Sequence, residues 1–133
     1  MRAGDVIRAP FPRVPIAVID PADVAAVAAV ALRTPGHEGR TYALSGPEAL
    51  RPGEQVAILG QALGRDLRFE GLSDEAAREE LHAGMSPEYA DAVLDIFTGS
   101  TDESVVRPTV EDVTGRPPGT FAQWAATHAD AFR

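Results

Sequence analysis

The chain of 133 residues is long enough for one domain with a core and short for two. Twelve basic residues, all arginine, face twenty acids for a formal charge of -8, and such a field repels phosphate backbones, which argues against a nucleic-acid partner. Cysteine is absent, which removes thiol and disulfide chemistry; no basic segment leading into an apolar run opens the chain, and no run approaches the roughly 20 apolar residues of a membrane span. A soluble cytoplasmic protein without a membrane partner is expected.

Residues 1–13, with charge, two prolines and little periodicity, read as an arm or loop lying against something. The β-branched run at 14–19 suits a strand, with Pro15 restricting it to a start or an edge. A helix follows, capped by Asp20, with Pro21 in its first turn and Asp23 at the position of a capping-box acid. From Val24 to Leu32 it has no polar residue, so it is expected to be covered on more than one side. A strand is predicted around Tyr42 to Leu44, then a helix at about 52–63 with Val56, Leu59 and Leu63 on one face and Gly64 as C-cap, then a short strand at 67–69. That order is a β-α-β unit of the kind that builds a parallel sheet.

Between Glu70 and Glu103 ten acids stand against Arg78 alone. Ser73 caps a predicted helix ending near Gly84, and Ser86 with Pro87 opens another to about Thr98, with Tyr89, Val93, Ile96 and Phe97 along one face. A short helical turn and a proline-rich bend lead to a last helix, where Thr120 and Gln123 form a capping box and Phe121, Trp124, Ala125, His128 and Phe132 keep helical spacing.

Candidate chemistry is sparse. His37, His82 and His128 lie in unrelated contexts without ligand spacing, so no metal site is predicted; His128 reads as a partly buried packing residue and His82 as exposed. Asp20 and Asp23 share one helical turn, where capping is the plain role and an acid–base pair requires a pocket at the helix mouth. Tyr42 offers a hydroxyl, yet the chain has no lysine to build a tyrosine–lysine pair beside a nicotinamide. No glycine fingerprint joins a strand to a helix, and no phosphate loop with lysine occurs, so no cofactor is expected on this chain.

The segments VIDPADVAAVAAVAL at 18–32, GHEGRTYALSGPEAL at 36–50 and GQALGRDLRF at 60–69 resemble the C-terminal part of NmrA-like atypical short-chain dehydrogenases, NAD(P)-binding proteins. VTGRPPGTFAQWA, at 113–125, resembles the helix with which many members end. The resemblance implies an α/β fold. It would be the incomplete, substrate-side C-terminal portion of an NmrA-like Rossmann-type protein, a single unit over 1–133 with a few short strands and about four to six helices. The nucleotide-binding part would be missing, and the strand at Tyr42 to Leu44 would await strands supplied upstream. By the family's pattern the segment around PFPRVPIAVIDPAD lies close to the substrate side and the acidic helical pair forms part of a lid.

Three roles are compatible with these features. The first is a non-redox protein binding an apolar or aromatic small molecule between the alanine-rich helix and the terminal aromatic helix. Arg8, Phe11, Arg13, Tyr42 and Trp124 would contact that molecule. The second is a cofactor-independent cyclase, dehydratase or isomerase using Asp20, Asp23, Tyr42 or His37. The third is a structural or interaction subunit that forms a homodimer or pairs with a separate Rossmann subunit. An isolated redox enzyme is disfavoured, because hydride transfer requires a cofactor site.

Overall fold

The computed structural model describes residues 5–98 and 102–132, so residues 1–4 of the expected arm lie outside the described residues. Strand β1 (Val6–Ala9) pairs in parallel with β2 (Arg68–Gly71). The helices are α1 (Pro21–Arg33), α2 (Pro52–Leu63), α3 (Asp74–Gly84), α4 (Pro87–Thr98), α5 (Thr109–Thr114) and α6 (Phe121–Thr127), closed by a 3-10 turn at Ala129–Phe132.

Local chemistry explains where the helices begin and end. The Asp20 carboxylate accepts the N–H of Ala22 at 2.8 Å, and Pro21 gives up no needed donor in the first turn of α1. The Glu54 carboxylate accepts the N–H of Arg51 at the start of α2, whose end is turned by Gly64 at φ 64°. Ser73 Oγ accepts from Ala76 N–H at the start of α3. The Thr120–Gln123 capping box opens α6 as expected.

The sheet differs from expectation. The N-terminal arm supplies β1, with Val6 opposite Arg68 and Ala9 opposite Gly71, and Leu72 N–H prolongs the ladder to the Ala9 carbonyl at 3.0 Å. The 14–19 run makes one antiparallel bridge, Ile16 to Leu50, and its neighbour Ala17 donates to the Glu103 carbonyl at 2.8 Å. Tyr42 to Leu44 is not a strand. Its backbone runs past the His37–Tyr42 side-chain hydrogen bond of 2.6 Å, which closes the loop on itself. The expectation of an incomplete portion waiting for upstream strands is therefore corrected: β2 finds its partner within the chain, and the described residues pack as an α/β unit with a core of their own.

That core is small. Helix α2 packs on α6 and β2, α1 on α5, and α3 on α4. Five of its twelve buried apolar residues are alanine (Ala17, Ala77, Ala90, Ala125, Ala129), which allows close helix approach but buries little area per residue. Helix α1 departs from its expected coverage on more than one side: only Val27 is buried, and Leu32 is 87 % exposed. Among the described residues no helix is long and apolar enough to cross a membrane.

Two glycines permit close backbone approach. A Cβ on Gly46 would fall 1.8 Å from the Val18 carbonyl oxygen, and one on Gly71 would fall 2.6 Å from the Pro12 side chain. The second contact lets the arm fold back over β2 after Ala9.

Candidate functional site

The arm turns sharply after β1. Phe11 has φ 52°, a left-handed conformation strained for an aromatic residue, and its carbonyl accepts Val14 N–H at 3.0 Å to close a turn through Pro12 and Arg13. The Phe11 ring is nonetheless 7 % exposed and stacks on Phe97 of α4 with centroids 4.7 Å apart. Here a cleft of about 430 Å3 opens, with Leu72 and Val14 as further apolar wall and Arg13, Ser73, Asp74 and Thr98 at its polar edge. Arg13 is exposed and has no hydrogen bond or ion pair among the described residues. The Ser73 hydroxyl is engaged by the α3 cap, and Thr98 Oγ1 donates to the Leu94 carbonyl at 2.8 Å.

A second, smaller cavity of about 250 Å3 lies where α1 begins beside α6, lined by Val18, Ile19, Asp20, Pro21, Thr120, Phe121 and Trp124 with Gly119. Trp124 lies between Phe121, at 5.6 Å, and His128, at 4.9 Å. The expected pocket between the alanine-rich and aromatic helices is therefore present, but Arg8, Arg13 and Tyr42 do not line it.

The expected site residues thus separate. Phe11 and Arg13 meet in the larger cleft, while Asp20 and Trp124 meet in the smaller. His37 and Tyr42 pair with each other in the loop after α1, and Arg8 forms an exposed ion pair with Glu70 across the strands at 3.4 Å. Asp23 does not close the capping box: its Oδ2 accepts the N–H of Gly119 at 2.7 Å. His128 is exposed, its ring against Trp124, and so is not the partly buried packing residue expected. His82 shares a hydrogen bond with Asp91 at 3.1 Å. No group of metal-ligating side chains occurs among the described residues. The sequence reading missed Leu72, Ser73, Asp74, Phe97 and Thr98 as cleft residues. Phe97 had a signal in the apolar face of α4, whereas the others gather only through the turn at Phe11.

No family model matches the chain. It is 48 % identical over 136 residues to the (4-alkanoyl-5-oxo-2,5-dihydrofuran-3-yl)methyl phosphate reductase of Streptomyces griseus, an alignment covering 99 % of this chain and 48 % of that protein. It is 41 % identical over 117 residues to an NAD(P)H azoreductase of Xenophilus azovorans, covering 86 % of this chain and 41 % of the relative. Among solved structures it is similar to an NADPH-dependent quinone oxidoreductase of Escherichia coli in complex with NADPH. There the TM-score is 0.75 at 26 % identity, over 92 % of this chain and 44 % of that one. The chain spans about half the length of the curated relatives it matches.

These similarities correct the functional expectations. The relatives named above are two reductases and an oxidoreductase, and they overturn the expectation of a non-redox binding protein, of a cofactor-independent cyclase, dehydratase or isomerase, and of a structural subunit. They equally replace the resemblance to a remnant lacking its nucleotide-binding part with a match to NADPH-dependent oxidoreductases over most of this chain. A missing glycine fingerprint says nothing of the acceptor side of such a protein. The walls that hold an electron acceptor need apolar and aromatic side chains, and carry no such fingerprint.

The described residues do not fit the phosphates of a nicotinamide dinucleotide. β2 leads into a helix directly, but α3 carries Asp74 and Glu75 in its first turn, and Ser73 caps it internally. Carboxylates there repel a pyrophosphate where a glycine turn would present free N–H groups. β1 runs instead into Pro10 and the strained Phe11 turn.

Proposed function

We propose that this chain serves in NAD(P)H-dependent reduction of a planar, conjugated organic molecule, and that the Phe11–Phe97 cleft seats that acceptor. The similarity to reductases supports the redox class. The observation that carries the seat is a strained aromatic residue held with its ring buried against a second ring at the wall of an open cleft. Strain of this kind persists only where surrounding contacts over-determine it, and it clusters at ligand sites. Flat apolar walls favour flat acceptors through offset stacking and area burial. Arg13, at the edge and without a partner among the described residues, is suited to a carbonyl or anionic substituent.

In this arrangement the chain's own residues bind, orient and shield the acceptor. Phe11, Phe97 and Leu72 exclude water from its face, and Arg13 orients its polar end. The exposed Val24 and Leu32 of α1 support self-association, and a monomeric mass in solution would end that part of the reading.

The test is binding of menadione and of an azo dye to the purified chain, followed by absorbance. Phe97→Ala is expected to weaken acceptor binding by about five- to tenfold, the worth of a lost aromatic contact. Binding that Phe97→Ala and Arg13→Ala both leave unchanged would remove the cleft from the reading. No saturable binding of either acceptor would remove the redox class.

A further inference from the structure

Helix α4 carries an apolar stripe that the core does not use. Val93 stands four positions from both Tyr89 and Phe97 and three from Ile96, so these side chains share one flank. The residues the helix buries are Ala90 and Leu94, whereas Tyr89 is 65 % and Ile96 47 % exposed. We propose that this stripe seats a linear hydrocarbon chain borne by the acceptor, so that the substrate is a planar conjugated ring with an alkyl tail. The inference rests on the ring occupying the Phe11–Phe97 cleft.

Continuity with the cleft carries the assignment. Phe97 belongs to both surfaces: its ring stacks on Phe11 at the cleft wall, and its place on α4 begins the stripe. From there the flank runs to Tyr89 without a charged side chain. Glu88, Asp91 and Asp95 fall on the opposite flank by helical spacing, and there Asp91 meets His82 of α3 at 3.1 Å. A substituent leaving the cleft beside Phe97 therefore crosses Val93 and Ile96 and ends at Tyr89. That path is about 12 Å at the rise of a helix, the reach of roughly ten carbons.

Charge decides between a tail and a second copy of the chain. The segment from Glu70 to Glu103 holds ten acids and Arg78 as its one base, so two such surfaces brought together would oppose like charges. Hydrocarbon is indifferent to that field and gains from every methylene removed from water. A contiguous exposed apolar stripe leading out of a ligand cleft is the arrangement a tail requires.

The test titrates the full chain with menadione and its 2-hexyl, 2-decyl and 2-tetradecyl homologues, followed by absorbance. Full burial would tighten binding about fourfold per methylene, and a chain lying on an open stripe about twofold. The hexyl compound is thus expected to bind about thirtyfold tighter than menadione, the decyl compound tighter again, and the tetradecyl compound no tighter than the decyl. Ile96→Ser and Tyr89→Ser alter exposed positions, where the cost in stability is small. Each is expected to lower the ratio of decyl to menadione affinity about fivefold. Equal binding of menadione and its hexyl homologue in the unaltered protein would overturn the proposal, and so would a gain that both variants leave intact or one that climbs evenly past decyl. A dimer that both variants split, with no gain from chain length, would assign the stripe to a second copy instead. Menadione binding without a chain-length gain removes the tail alone, whereas no menadione binding removes the seat and the tail with it.

Discussion

The Asp23 carboxylate accepts the Gly119 N–H at 2.7 Å and so ties the first turn of α1 to the bend that opens α6. An acid placed for a local cap is spent instead on a contact spanning 96 positions. Asp23→Ala leaves a part-buried donor unmatched and is expected to cost about 1–2 kcal/mol. Asp23→Asn retains an acceptor and should recover much of that loss. Urea denaturation of the three proteins checks both values. Equal stability of the alanine and asparagine variants would mean that the tie is structurally idle.

Gly46 donates to the Ala17 carbonyl at 3.0 Å with its Cα pressed toward Val18. Gly46→Ala places a methyl group against backbone, which cannot rotate away as a side-chain tip can. A loss of about 3 kcal/mol is expected, read as a lowered thermal midpoint. A midpoint within a degree of the parent would show that the two segments separate freely.

Tyr42 and His37 share a 2.6 Å hydrogen bond that holds the loop after α1. Tyr42→Phe removes it and keeps the ring, so the expected cost is about 0.5–1.5 kcal/mol. Faster amide exchange across residues 36–42 is the accompanying local sign. Unaltered exchange there would place the loop's order elsewhere.

The Glu38 carboxyl is held below its ordinary value, chiefly by its own backbone N–H and next by that of Gly36, which donates at 2.9 Å. Its folded pKa lies under its unfolded one. The turn is therefore fully supported above the unfolded pKa and loses that support as pH falls through the folded value. An acid titration followed by NMR should show the Gly36 amide shifting with a midpoint below the ordinary glutamate range. Glu38→Gln should abolish that transition. A midpoint at the ordinary value would mean that the Gly36 bond is not kept in solution.

The helices were legible because their signals are local. Asp20, Ser73 and the Thr120–Gln123 pair sit beside the donors they satisfy, and the proline and glycine stops need no distant partner. Of the strands only β2, expected at 67–69, was legible, and its pairing was not. Val6–Ala9 and Arg68–Gly71 lie about 60 positions apart, and the charged, proline-flanked arm gives no hint that it will pair. Tyr42 to Leu44 has the better strand composition and forms none, since a strand exists only through its neighbour. The site divided in the same way: Phe11, Arg13, Asp20 and Trp124 could be picked out singly, but not sorted into two clefts.

By itself, then, the sequence determined the helices, their caps, the thin alanine-rich core and the sign of the electrostatic field. These depend on residue type and on contacts within one or two turns. Tertiary structure alone decided which strands pair, that Phe11 adopts a left-handed turn to reach Phe97, and that Asp23 leaves its helix end for Gly119. Each of those is a choice between partners far apart along the chain, settled by packing and hydrogen-bond satisfaction when the whole is assembled.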